Sequence, residues 1–199
     1  MKCYTLTSIC VMATATPSVL AQFDVHLVFD RTEVMVGETI QATLVATIDG
    51  SPEWYFSALA TDLVASDPSL GLASAMSGLD WAMPALGQIQ SGTPDGASLL
   101  GLFGAQHPLF GPADTSSPFV IGQFTITALT PGELTYTSRW STSSTGSFQF
   151  TGPSFPGGPA WASELTPTET ITIRPVPAPA SVGLLGFVTL MGRRRRGAV

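Results

Sequence analysis

Residues 39–48 read TIQATLVATI, and their apolar positions recur every second residue. Ile40, Ala42, Leu44, Ala46 and Ile48 share one side; Thr39, Gln41, Thr43 and Thr47 share the other. Successive side chains of an extended chain point to opposite faces, so this stretch predicts a strand with one buried and one solvated face. The period is two, where a helix would show 3.6. Residues 24–30 (DVHLVFD) repeat the pattern, with Val25, Leu27 and Phe29 alternating against Asp24, His26 and Asp30. Between the two stretches lies Val36-Gly37-Glu38, a turn built on a permissive glycine.

Outward from there, residues 54–64 (WYFSALATDLV) are rich in aromatic and apolar side chains and are stopped by Ser66-Asp67-Pro68. Residues 119–128 (FVIGQFTITA) alternate again. Thr130-Pro131-Gly132-Glu133 fits a type II turn, with proline at i+1 and glycine at i+2. Then come residues 134–140 (LTYTSRW), a Ser/Thr-rich segment at 141–147, a short strand at 148–150 and a Pro/Gly loop at 152–159. Residues 168–174 (TETITIR) form the last strand. Six or seven short strands separated by turn chemistry, with little helix, predict an all-β fold, an antiparallel β-sandwich. Alternation fails at residues 69–118, where Gly, Ala, Ser and Pro dominate. Residues 99–103 are the one compact apolar run there, and 70–76 are a helix candidate. A loop of that length is uncommon in a compact domain. It is expected to open more easily than the strands around it.

The order of these pieces resembles the immunoglobulin-like sandwich of cohesins and carbohydrate-binding modules. Three features carry the resemblance: the strand–VGE–strand opening at 27–48, the strand at 56–64 ending in Asp67-Pro68, and IGQFTITALTPGELTYTS at 121–138. It implies a fold and brings over no binding residue.

The chain ends read as addresses. Residues 1–21 fit a secretory signal peptide: Lys2 gives the positive start, a mostly apolar stretch runs from Leu6 to Ala15, and Val19-Leu20-Ala21 offers small-residue cleavage before Gln22. Cys3 and Cys10 both fall in this peptide, so the mature chain carries no cysteine for a disulfide, a metal or a nucleophile. At the other end, residues 182–191 (VGLLGFVTLM) are uncharged, too short for the roughly 20 residues of a stable span, and expected to form a short hydrophobic helix. Arg193, Arg194, Arg195 and Arg196 follow and would be held on the cytoplasmic side. Upstream, Pro175, Pro177 and Pro179 keep the chain extended. Val176, Pro177, Ala178, Pro179, Ala180 and Ser181, with the apolar run and the arginines, resemble the PEP-CTERM sorting signal, although Ala178 stands where that family most often has Glu. The resemblance implies cleavage by an exosortase after export through the secretion translocon, in a Gram-negative-type bacterium. Such cargo passes transiently through the inner membrane on its way to the cell surface or extracellular matrix, often beside exopolysaccharide genes. A plain tail-anchor helix is the alternative reading. The domain reading is thus a signal peptide at 1–21, a sandwich at 22–174 and a sorting signal at 175–199.

Loss of both ends leaves Arg31, Arg139 and Arg174 against fourteen acids, a net charge of −11 for the body. That charge repels nucleic acid. His26 and His107 are the two histidines, and no G-x-S-x-G elbow accompanies them, so no catalytic residue is assigned. Ligand spacing for zinc is missing, and no cofactor is implied. Asp62, Asp67, Asp80, Asp95 and Asp114 read as solvated turn residues, with loop-borne calcium the alternative. Among Trp54, Trp81, Trp140 and Trp161, the indoles of Trp81 and Trp161 sit in irregular stretches (LDWAMP, GPAWAS) and are the candidates for stacking on sugar rings, although packing is the commoner fate of a tryptophan.

The function expected is that of an exported, non-catalytic surface or matrix protein whose body is a structural or interaction module meeting polysaccharide or surface proteins. A secreted carbohydrate-binding module is the alternative, and a hydrolase comes third. The secreted protein should start near Gln22 and end between Pro177 and Ser181. Intact-mass measurement checks both losses, and a secreted form that keeps the four arginines would overturn the sorting reading.

Overall fold

In the computed structural model the alternating stretches become paired strands, and residues 22–49, 54–140, 147–152 and 160–177 are described. The first half of the chain supplies β1 (Gln22–Phe29), β2 (Glu33–Met35), β3 (Thr39–Asp49), β4 (Tyr55–Ala65), β5 (Gly71–Ala73), β6 (Gln90–Asp95) and β7 (Ser98–Ala105). The second half supplies β8 (Phe119–Ala128), β9 (Gly132–Leu134), β10 (Tyr136–Trp140), β11 (Phe148–Thr151), β12 (Ala160–Ser163) and β13 (Ile171–Arg174). The hydrophobic C-terminal helix expected from the sequence lies outside the described residues. No helix among those described is long and apolar enough to cross a membrane.

One sheet has the order β1-β3-β8-β5. β1 lies antiparallel to β3 from Gln22 opposite Asp49 to Phe29 opposite Ala42. The other large sheet runs β12-β11-β4-β7-β6, and β10 also pairs with β4. β10 and β11 share one flank of β4 end to end, Tyr136–Trp140 along Ala65–Thr61 and Phe148–Thr151 along Leu59–Tyr55. A third, small sheet, β2-β13-β9, holds β13 parallel to β2, the one parallel pair among the described strands of an otherwise antiparallel sandwich.

The alternation fixes what lies between the sheets. Val25, Leu27, Ile40, Leu44, Ile121 and Ile126 face Phe56, Leu59, Leu63, Leu99, Leu102 and Phe148, and all belong to a single buried cluster. Full burial of one such side chain contributes about 1.5–3 kcal/mol. Backbone bonds also join the sheets at their margins. Ala73 N–H donates to Gly96 O and Met76 N–H to Ser91 O on one side, and Thr166 N–H donates to Val25 O on the other, each at 2.7 Å. These bonds occupy backbone groups that free sheet edges would leave open to other chains.

Residues 69–118 depart from the sequence expectation. They contain β5, β6 and β7, with single 3₁₀ turns at Pro68–Leu70 and Pro84–Leu86. The helix candidate at 70–76 is instead the end of one turn and the strand β5. Small side chains hid these strands. Gly101 takes φ +71, the register between β4 and β7 shifts, and Leu99 and Leu102 both reach the core three residues apart, which breaks a period of two. The expected type II turn at Thr130–Glu133 is also absent. Gly132 has no positive φ, begins β9 opposite Ile173, and is small because Leu70 crowds it, a Cβ there lying 2.9 Å from that side chain.

Entry and exit fall at opposite ends. Gln22 pairs with Asp49, the last residue of β3. Arg174 pairs with Met35, and its carbonyl accepts from Val36 N–H in the turn that leads into the first residue of β3. Eleven residues of β3 therefore separate the two ends, roughly 35 Å at strand rise.

Gly96, in the β6–β7 hairpin, gives a direct test. Its φ is +57, and an added Cβ would lie 2.2 Å from Pro68 O. Gly37 has φ +91 with nothing within 4 Å of that position. Gly96→Ala should cost about 3 kcal/mol or more, strain plus backbone overlap, and Gly37→Ala about 1 kcal/mol from strain alone. Urea denaturation of both variants measures the difference, and equal losses would mean the hairpin does not rest on Pro68.

Candidate binding site

The structure separates the two tryptophans named as candidates for stacking on sugars. Trp81 is no loop platform. Its Nε1–H donates to Ile121 O at 2.7 Å, and its ring meets Phe56 and Phe119 edge-on at 5.4 and 5.5 Å. The neighbouring Ala82 and Met83 are tied by backbone bonds to Leu79 and Ala105, which turns the indole inward over Gly104. One side of Trp81 still lines an open depression of about 620 Å³, with Asp80, Met83, Phe110 and Asp114 around it. Trp161 is 57% exposed, on the edge strand β12 opposite Phe150. Its ring lies 6.0 Å from Phe23, which in turn meets Trp54 and Phe150 at 4.8 Å each. One side of this indole is thus supported by the core and the other is in solvent. Trp81 and Trp161 are linked through the rings of Phe56, Phe150 and Phe23.

A third tryptophan was passed over by the sequence. Trp140 ends β10 and is 50% exposed. Its Nε1–H donates to the carboxylate of Glu164, just past β12. Glu164 also accepts from Ser138 Oγ and Ser147 Oγ, both at 2.6 Å, and from Ser147 N–H at 3.4 Å. Ser138 Oγ in turn accepts from Leu165 N–H at 2.8 Å. One carboxylate therefore ties together β10, the start of β11 and the chain after β12. Burial acts to raise its pKa, but the bonds from Ser138, Ser147 and Trp140 outweigh that, and the carboxyl sits below its ordinary value. Whatever Glu164 adds to stability is complete above the ordinary carboxyl pKa and is lost as pH falls through the lowered one. No local sequence signal marks the group, whose members come from three separate stretches.

The other candidate chemistry resolves into structure. Asp62, read from sequence as a solvated turn residue, is buried in β4. It accepts from Gly101 N–H at 2.7 Å and from Arg139 Nη2 at 2.9 Å, and so holds the β4–β7 bulge. Asp67 does sit at a turn, accepting from Ser69 N–H at 2.9 Å. His26 lies 2.9 Å from the carboxylate of Asp24. Among the described residues no three His, Cys, Asp or Glu side chains gather as metal ligands do. Gln22 opens β1, and Val176 and Pro177 follow β13 as exposed chain. Ala21, Ala178, Pro179, Ala180, Ser181 and the four terminal arginines lie outside the described residues.

No protein-family model matches the sequence, and no curated protein resembles it in sequence. Solved structures do resemble it in fold. The seventh ScaB type I cohesin of Pseudobacteroides cellulosolvens superposes with a TM-score of 0.55 at 12% identity, over 78% of this chain and 94% of its own. The second type II cohesin module of the ScaA adaptor scaffoldin of Acetivibrio cellulolyticus gives 0.52 at 15% identity, over 79% and 98%. A chain of a type II cohesin–X-dockerin complex from Acetivibrio cellulolyticus gives 0.52 at 16% identity, over 77% and 100%. At these identities the likeness is one of fold: the body is a cohesin-like β-sandwich.

Proposed function

We propose that this chain is an exported, non-catalytic binding protein of the cell surface or extracellular matrix. In this reading residues 1–21 direct export through the translocon. Residues 22–174 are the binding body. Residues 175–199 are a PEP-CTERM-like sorting signal handled by an exosortase in the inner membrane, with cleavage near Val176 to Ser181. The observation that carries the reading is the geometry of the exit. The chain leaves the sandwich past Arg174, at the end opposite Gln22, as exposed residues running into the proline motif. An exposed stretch between the sandwich and the apolar run is open to a processing enzyme. The cohesin-like fold supports a protein-docking role, since one of the similar structures is a cohesin–X-dockerin complex.

A second reading, a secreted carbohydrate-binding module, is favoured by one observation, the 57% exposure of Trp161 on a supported indole. Surface display distinguishes sorted cargo from a freely secreted module. In a bacterium that carries an exosortase, the full chain should be found on intact cells by antibody labelling. A chain truncated after Ser181 should appear at least tenfold less at the surface and collect in the medium or periplasm. Equal surface labelling of both would overturn the sorting role of residues 182–199.

A further inference from the structure

We infer that Trp140, set in place by Glu164, is a stacking platform for an uncharged polysaccharide, with Trp161 as a second contact on the same flank of β4. The inference rests on the carbohydrate-binding reading and places its main contact on a different residue.

Half of the Trp140 indole faces water, which forgoes apolar burial at about 25 cal/mol per Å². An exposed side chain of that kind is ordinarily free to turn. This one is fixed through its Nε1–H, and the carboxylate that fixes it is itself held. A carboxylate offers about four lone-pair sites. Trp140, Ser138 and the hydroxyl and N–H of Ser147 make four donors. Glu164 thus has no acceptor capacity left for a ligand, and its role is to position the ring.

A ligand then meets an aromatic face whose N–H is already occupied. Such a face recognises what can lie flat on it, and the C–H face of a sugar ring can. A cationic ligand would want an open carboxylate beside the ring. Glu164 is saturated, and the Asp62 opposite the neighbouring Arg139 is ion-paired with it. A polyanion is repelled by the body's −11. The same charge would draw a cation, so the choice of an uncharged glycan rests on the flat C–H face that a fixed, half-exposed indole accepts and on the lack of a carboxylate free to pair beside the ring.

The register sets its size. Trp140 lies opposite Thr61 on β4, and Trp161 lies opposite Phe150, itself opposite Phe56. Five residues of β4 amount to about 17 Å along the strand. Both indoles can be engaged by a chain of several sugars and not by a single one.

The test is affinity electrophoresis of the secreted protein through gels containing hydroxyethyl cellulose, xylan or dextran, with alginate as the polyanionic comparison. Retardation is expected in at least one neutral gel, with Trp140→Ala weakening it at least tenfold and Trp161→Ala several-fold. Trp140→Phe keeps a ring without the N–H and should fall between wild type and Trp140→Ala. Melting temperatures identify any variant that has unfolded. Glu164→Gln should weaken binding and, in ¹H–¹⁵N spectra, move the Trp140 indole N–H resonance upfield; a purely structural Glu164 would leave affinity unchanged in a variant that stays folded. Retardation that survives Trp140→Ala and vanishes with Trp161→Ala would overturn this inference and leave the carbohydrate-binding reading standing. No retardation in any neutral gel, or retardation by alginate alone, would overturn both.

Discussion

Phe56 stands where the parts of this molecule meet. Its ring stacks on Phe119 of the facing sheet at 5.4 Å and meets Phe150 edge-on at 5.5 Å on the adjacent strand. Trp81, from the long middle segment, meets both Phe56 and Phe119. Each aromatic pair adds about 0.5–1.5 kcal/mol beyond its buried area. More important is what the cluster positions. Gln106, itself buried, donates to Phe56 O at 2.6 Å and accepts from Asp114 N–H at 2.8 Å, so the loop after β7 is tied to the same residue. Phe150 passes the packing on to Phe23 and from there to Trp161. The exposed indole at the sheet edge is supported by a line of rings that begins in the core.

What could be read from the sequence depended on whether one strand's burial pattern obeyed a period of two. β1 and β3 do, and their extents were legible to within two residues; β8 carries a bulge at Ile121 but alternates on either side of it, and its extent was legible too. β7 does not. Its glycines at 101 and 104 leave room for a bulge and for the Trp81 ring, so Leu99 and Leu102 share a face across an odd spacing. β6, QSGTPD, is an exposed edge strand with no apolar face to show at all. The candidate exposure of Trp81 has the same origin. With β6 and β7 read as loop, its surroundings lacked the sheet that encloses it.

The candidate site was legible only in its simplest member. Trp161 is exposed, as a tryptophan in a Pro/Gly-rich stretch suggested. Trp140 ends an alternating strand, where packing is the natural expectation, yet half of it is exposed. Glu164 lies 24 residues from Trp140 and 26 from Ser138. Contacts of that range are set by which strands become neighbours, and a single sequence carries no pairing information. Asp62 was misread likewise. Its partners, at Gly101 and Arg139, lie 39 and 77 residues away.

The charge of the body bears on the role proposed for its aromatic faces. Among the described residues each arginine already faces an acid: Arg31 with Asp30, Arg139 with Asp62 and Arg174 with Glu33. The two exposed pairs, Arg31 with Asp30 and Arg174 with Glu33, contribute about 0–1 kcal/mol each and do little for stability, but all three pairs leave no spare cation on these surfaces. Two exposed indoles beside the edge strand β12 would ordinarily invite a second copy to pair along that edge. Like charges on every copy oppose that encounter, and they act on it far more than on a neutral ligand. An acidic surface with fixed, uncharged aromatic faces therefore discourages self-association while leaving the stacking of an uncharged chain unimpeded.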